Sequence, residues 1–205
     1  ADIAPWNQIR GTVADRFEVD LEHAPLIEIA LGSKAGLILI DELSPLIDFL
    51  NHVRSPITGR VGFRSANTRS ISESHALDDE PGVVSRADRL VKTNASDASL
   101  ASEMLGKTWI VESLQVAMRL MKQNEGSNNC RFVTLQGELL ETDGTLFVGT
   151  IGQESAILSR RSELRRLKIN LTKYDDRIDF EETRVSDLER QILQIQKTID
   201  NARLD

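Results

Sequence analysis

The stretch that decides the fold is GTVADRFEVDLEHAPLIEIALG, Gly11–Gly32, because the chain restates it as GVVSRADRLVKTNASDASLASEMLG, Gly82–Gly106. ADRF (Ala14–Phe17) returns as ADRL (Ala87–Leu90), 73 positions further on. Each copy passes through a polar break into an amphipathic segment that stops at Leu-Gly, Leu31-Gly32 and Leu105-Gly106. Leu26, Ile27, Ala30 and Leu31 keep helical spacing, as do Leu100, Ala101, Met104 and Leu105. A glycine just past the last periodic residue predicts a left-handed helix stop in both copies.

The parallel continues outward. A short β-branched run follows each stop, LILID (Leu37–Asp41) and TWIVE (Thr108–Glu112), and then a second helical segment. Those segments are SPLIDFLNHV (Ser44–Val53), with Ser44 and Pro45 as a helix start, and SLQVAMRLMKQ (Ser113–Gln123). Helix, strand, helix, strand in the same order twice predicts two related α/β (α+β) lobes, the alternative being coincidence between two ordinary α/β units. Lobe one covers about 1–62, lobe two about 83–152. FRSANTRSISESHALDDEPG (Phe63–Gly82), rich in Ser, Asn, Asp, Pro and Gly, reads as a surface connector between them. RFVTLQGELL (Arg131–Leu140) reads as one alternating strand, and the Asp143-Gly144 pair in DGTLFVG (Asp143–Gly149) as a hairpin turn.

From residue 153 the grammar changes. With Leu164 at heptad position a, the a series is Leu164, Leu171, Ile178, Val185, Ile192, Ile199, and the d series Leu167, Tyr174, Glu181, Leu188, Ile195, Ala202. Ten of these twelve are large and apolar, and no proline interrupts them, so 153–205 is expected to be one strand of a coiled coil. A coiled-coil strand needs a second helix, and nothing else here is long enough to supply one. The partner is expected in sequence preceding Ala1, the chain reading as a piece of a longer protein.

Composition narrows the function. No run approaches the roughly 18 apolar residues of a membrane span, and ADIAPWNQIR lacks the layout of a signal peptide. The single cysteine, Cys130, excludes an internal disulfide and fits a reducing compartment. The net charge of −7 argues against a protein that coats DNA uniformly. That charge lies wholly in residues 1–153, with 14 basic and 21 acidic side chains, whereas 154–205 carry 11 of each.

Two related lobes, a connector and a departing coiled-coil strand resemble the hinge domain of an SMC (structural maintenance of chromosomes) protein. GTVADRFEVDLEHAPLIEIALG is similar to the family's opening lobe, VTLQGELLETDGTLFVG to its glycine-marked closing segment, and LSRRSELRRL to its exit into the coil. In that closing segment Gly137 and Gly144 keep the family's spacing, Gly149 keeps the second glycine of its terminal pair, and Val148 replaces the first. The resemblance implies that Gly137, Gly144 and Gly149 lie where two hinges meet. It implies a second hinge as partner, most simply an identical one, and a cytoplasmic, nucleoid-associated protein whose ATPase heads lie elsewhere. Read from the residues alone, the same glycines make turns inside one lobe.

Catalytic and ligand motifs fail in turn. No Gly-x4-Gly-Lys-Ser/Thr loop is present, and His23, His52 and His75 lack metal-ligand spacing. Asp78, Asp79 and Glu80 cluster without the alternation of a calcium loop, and Cys130 beside Arg131 has no histidine motif next to it. No cofactor, metal or catalytic residue is expected. What remains is basic: RRSELRRLK places Arg160, Arg161, Arg165, Arg166 and Lys168 within nine residues. Arg161, Arg165 and Lys168 share a helix face, suited to sequence-blind contact with DNA phosphates or, alternatively, to a solvated coil flank. Arg54, Arg60, Arg64 and Arg69 form a second, weaker candidate. The expected function is dimerisation. Its rivals are a small α/β enzyme with an appended oligomerisation helix, which would need a polar-lined pocket, and a nucleic-acid module proper.

Overall fold

The structure is a computed structural model and describes residues 5–52, 59–66, 77–123, 129–149 and 156–202. In lobe one the elements are β1 (Ile9–Thr12), α1 (Val13–Arg16), β2 (Glu18–Val19), α2 (Ala24–Leu31), β3 (Ile38–Ile40), α3 (Ser44–His52) and β4 (Phe63–Ser65). Lobe two has β5 (Val83–Arg86), a 3-10 turn (Ala87–Leu90), β6 (Val91–Lys92), α4 (Ala98–Leu105), β7 (Thr108–Val111), α5 (Leu114–Gln123) and β8 (Arg131–Thr134). It then adds β9 (Leu139–Leu140) and β10 (Leu146–Phe147) before the long α6 (Ile157–Ala202).

The repeat holds in the strand pairing. β3 lies between antiparallel β1 and parallel β4, and β7 lies between antiparallel β5 and parallel β8. Even the irregularity is shared. Ile9 faces Ile40 and Gly11 faces Leu39 across a one-residue bulge, as Val83 faces Val111 and Ser85 faces Ile110 across another. The same closing bond follows, Asp41 N–H to the Gln8 carbonyl and Glu112 N–H to the Gly82 carbonyl. A bulge re-aims a strand at a fixed point, so finding it twice is stronger evidence of a common frame than matching element order.

The repeated ADR element sits where the lobes meet. Ala14 and Ala87 are both fully buried, and the short strands after them, β2 and β6, pair antiparallel with Val19 opposite Val91. Both alanines belong to the core that the two lobes share. In lobe one the turn is a capping box: Thr12 Oγ1 accepts from Asp15 N–H (3.3 Å), and Asp15 Oδ2 accepts from Thr12 N–H (2.6 Å). One core runs through both lobes, from Val13, Phe17, Ile27 and Leu39 to Leu105, Ile110, Val133 and Leu158. A second cluster, with Trp109, Val111, Leu120 and Phe132, lies between the lobe-two sheet and α5. β7 is therefore buried on both faces, which is why it reads as an unbroken apolar run.

Several expectations need correction. Gly32 ends α2 with φ +53°, but Gly106 ends α4 at φ −63°, in the ordinary helical region. Glycine is required at 106 because a Cβ there would lie 2.3 Å from the Ser102 carbonyl oxygen. Arg131–Leu140 is two strands, β8 and β9, folded back antiparallel around a turn holding Gly137 at φ +88°. The connector is shorter than expected: Phe63–Ser65 is β4, parallel to β3, and Leu77 is buried. Residues 67–76 lie outside the described residues. The chain divides into two compact units, Ala1–Ser162 and Glu163–Asp205, so the first turns of α6 belong with the lobes. In the second unit the apolar a and d side chains from Leu164 to Ile199 are 41–65% exposed, an uncovered seam.

Candidate functional site at an open sheet edge

The Asp143-Gly144 turn delivers β10 to the rim of the lobe-two sheet. Gly144 supplies φ +85°, Thr145 N–H donates to Asp143 Oδ1 (2.8 Å), and Glu141 N–H donates to the Thr145 carbonyl (2.9 Å). These bonds from Thr145 hold the Asp143 carboxyl below its ordinary value. β10 then runs antiparallel to β9, with Leu146 opposite Leu140 and Phe147 opposite Leu139. It ends the five-stranded sheet, and among the described residues no strand pairs with its outer edge. Leu146, Phe147 and Val148 stand 41, 56 and 69% exposed. Unpaired backbone groups beside three consecutive exposed apolar side chains make a template for another chain. β4 is likewise the last described strand of its own sheet.

The three glycines singled out in the sequence all have positive φ: +88° at Gly137, +85° at Gly144 and +113° at Gly149. Local geometry alone calls for glycine at each. A Cβ on Gly137 would sit 3.1 Å from Ile29 Cδ1 of the same chain, whereas Gly144 and Gly149 face open space. Gly144 and Gly149 bracket β10 at its two ends. Val148, the departure from the family's glycine pair, is the most exposed large apolar side chain among the described residues.

Behind the rim lies a cavity of about 540 Å³ whose walls include Leu26, Glu28, Ile29, Gly137, Val148 and Gly149. Its carboxylates are engaged. Glu138 accepts from Thr134 Oγ1 (2.9 Å), and Glu28, 3% exposed, accepts from Leu158 N–H (3.2 Å) and Ser159 Oγ (2.8 Å). A polar-lined pocket with a free acid or base, which the enzyme reading needs, is not what these walls offer.

The basic stretch is divided by the fold. Arg161 pairs with Asp15, while Arg160, Arg166 and Lys168 are exposed and Arg165 is half-buried. Burial tends to raise the Asp15 carboxyl, but hydrogen bonds from Thr12 and the charge of Arg161 outweigh it and leave it below its ordinary value. In the second group, Arg64 is taken out of the DNA candidates: it pairs across the lobes with Glu103, whose side chain is 4% exposed. Arg60 is exposed, and Arg54 and Arg69 lie outside the described residues.

The remaining sequence candidates sit apart. Asp78 pairs with Arg89, and Glu80 lies 3.9 Å from Arg119, so the acidic loop is tied to lobe two. His23 lies 3.4 Å from Glu22 and His52 2.6 Å from the Asp48 carbonyl; His75 is outside the described residues. Burial pushes the Cys130 thiol up. Among the described residues no group of three metal-ligating side chains forms, and no helix is long and apolar enough to cross a membrane.

Sequence reasoning missed the polar residues that join the lobes. Arg131 donates to the Ala30 carbonyl (2.6 Å), Lys92 lies 3.0 Å from Asp20, and Ser162 Oγ donates to the Val19 carbonyl (2.7 Å). Glu28 left the one legible signal. It is a carboxylate at helical spacing from Ala24 and Leu31, on the buried face of α2.

The architecture defines the class: a pair of duplicated α/β lobes with an open apolar sheet rim, feeding one long heptad-patterned helix. Comparison with known proteins gives the same answer. Residues 7–121 match the SMC proteins Flexible Hinge Domain, and the chain belongs to that family. The hinge is a non-catalytic domain of SMC proteins. Among relatives, the chromosome partition protein Smc of Rhodopirellula baltica is 35% identical over 181 residues, 87% of this chain and 15% of that protein. Its counterpart in Methanocaldococcus jannaschii is 26% identical over 145 residues, 71% of this chain and 12% of that one. The chain thus spans about a seventh of the length of such relatives. An asymmetric dimer of the Geobacillus stearothermophilus SMC hinge domain shares the fold with a TM-score of 0.70 at 24% identity, covering 82% of this chain and 69% of that one. The Pyrococcus furiosus SMC hinge domain does so with a TM-score of 0.56 at 23% identity, covering 70% and 73%.

Proposed function

We propose that this chain is the junction of an SMC-type chromosome partition protein, where two copies associate through open sheet edges and hold two coiled-coil arms together. The observation that carries the reading is β10, an edge that no other described strand pairs and that bears exposed Leu146, Phe147 and Val148. A second copy would hydrogen-bond that edge and remove its apolar side chains from water, each worth up to about 1.5–3 kcal/mol on full burial. The uncovered seam of α6 takes a second helix from elsewhere in the full-length protein. Chromosome association and ATP chemistry belong to that full-length protein. Light scattering across a dilution series tests the junction. The chain should be a dimer at micromolar concentration and a monomer after Phe147→Asp, with unchanged circular dichroism; a wild-type monomer at all concentrations sinks the reading.

DNA contact is a separate element of the proposal, supported by the exposure of Arg160, Arg166 and Lys168 at the start of α6. With a net charge of −7, any such contact is local to this stretch. It should be sequence-blind and fall by about 0.9 log units per phosphate contact for each tenfold rise in salt. Changing Arg160, Arg166 and Lys168 together to Glu should abolish retention on a short duplex while the dimer persists. Retention that survives this change, or high salt, makes the stretch a solvated coil flank.

A further inference from the structure

The chain reaches α6 from lobe two, by way of β10, yet α6 fastens to lobe one. Leu158 is 1% exposed within the shared core. Glu28, in α2, receives the Leu158 N–H and the Ser159 hydroxyl on its two carboxylate oxygens, at 3.2 and 2.8 Å. One turn later the buried Ser162 donates to the Val19 carbonyl in β2 (2.7 Å), and Arg161 meets Asp15 in α1. Three elements of lobe one thus hold four residues of a six-residue segment that follows lobe two in sequence.

Helix geometry gives Glu28 its role. The first N–H groups of a helix have no intrahelical acceptor, and the aligned peptide dipoles leave that end positive. Leu158, the second residue of this 46-residue helix, is 1% exposed, so its N–H must find an acceptor in the fold. Glu28 is 3% exposed and provides one, its negative charge set against the positive helix end. Without that use, a carboxylate in the apolar face of α2 would be a costly residue to bury.

We propose that Ile157–Ser162 is a strap closing lobe two onto lobe one, with Glu28 as its latch. The β2–β6 pair lies beneath it, and Val19, whose carbonyl Ser162 holds, is paired with Val91 of lobe two. Force or motion arriving along α6 therefore acts first on the seam between the lobes. The strap lies within one chain and holds whether or not two copies associate.

Hydrogen–deuterium exchange on the whole protein tests it. Glu28→Ala should raise exchange at least tenfold in two places, the amides of Ile157–Ser162 and those of Val19 and Val91. Trp109–Val111 in the doubly covered β7 should stay protected. Glu28→Gln should give a smaller rise, since its carbonyl still accepts from Leu158 N–H and Ser159 can reverse its hydroxyl. Ser162→Ala, a milder change should Glu28→Ala not fold, should release Val19 and Val91 while leaving the Leu158 amide protected. An increase spread evenly over both lobes would make Glu28 a general packing residue and overturn the latch. Exposure confined to Ile157–Ser162, with Val19 and Val91 unmoved in every variant, would overturn the strap.

Discussion

Lobe one and lobe two share a frame and differ at its rim and its back. Both place a buried apolar strand between an antiparallel and a parallel neighbour, and both carry the same bulge. Lobe two then adds the β9–β10 hairpin and covers the far face of its sheet with α5, which buries Ala117 and Leu120. In lobe one, α3 buries only Leu46 and β4 ends the sheet among the described residues. The pairing register puts Arg64 of β4 where lobe two has the core residue Val133: Leu39 faces Arg64 as Ile110 faces Val133. The two lobes thus keep one strand frame and differ in what covers it and in what meets its rim. Lobe two gained an edge, and lobe one gained a polar contact with α4 and the root of α6.

The sharpest test of that asymmetry is in the cores. Trp109→Ala, in the doubly covered sheet, should cost about 3–5 kcal/mol. Leu46→Ala, beneath the exposed α3, should fall at or below the lower end of the 2–5 kcal/mol range for such changes. Urea denaturation reads both, and because one core spans the lobes each variant should still unfold in a single transition. Two separate transitions would mean that the lobes fold independently.

Making lobe one resemble lobe two at the interface comes next. Arg64→Val leaves Glu103 nearly buried without its cation and should cost about 1–3 kcal/mol. Adding Glu103→Leu should recover most of that, since an apolar pair can replace a buried ion pair. A double variant as unstable as the single one would show that Arg64 is held by more than Glu103.

The turn glycines should respond less. Gly137→Ala and Gly144→Ala each force a side chain into positive φ at about 1–2 kcal/mol. Gly137 should be the worse of the two, since its Cβ also meets Ile29. Equal thermal midpoints would remove that contact from the account.

The smallest effect is electrostatic. The folded-state pKa of Asp15 is lowered, so its contribution is present above the unfolded value of 3.8 and is lost as pH falls through the lower, folded one. Because Asp15 and Arg161 are both partly exposed, the contribution is small. Asp15→Asn should flatten the stability profile only below about pH 4, as followed by thermal melts. An unchanged acid limb would leave Arg161 without a charge partner that matters.

Much of this was legible beforehand because it rests on periodicity. The 3.6-residue spacing of Leu26–Leu31 and Leu100–Leu105, the β-branched runs, the Asp-Gly turn and the heptads are local patterns that burial on one face dictates. The echo of ADR at Ala14 and Ala87 exposed the repeat, although its place, two fully buried alanines in a core shared by both lobes, is visible only in three dimensions. Arg131–Leu140 misled because strand propensity cannot say where a strand reverses; Gly137 marked the place, but a glycine in a strand also signals a bulge. Phe63–Ser65 was hidden because a three-residue parallel strand takes its definition from β3, far away in sequence. Which arginines remain exposed, where α6 is anchored and why Glu28 is buried depend on pairs such as Arg64–Glu103 and Glu28–Leu158, 39 and 130 positions apart. Sequence alone determined the repeated elements, since each is stabilised by its own apolar period. Only the tertiary structure decided how those elements join, because the hydrogen bonds and ion pairs at the junction link residues that no local pattern connects.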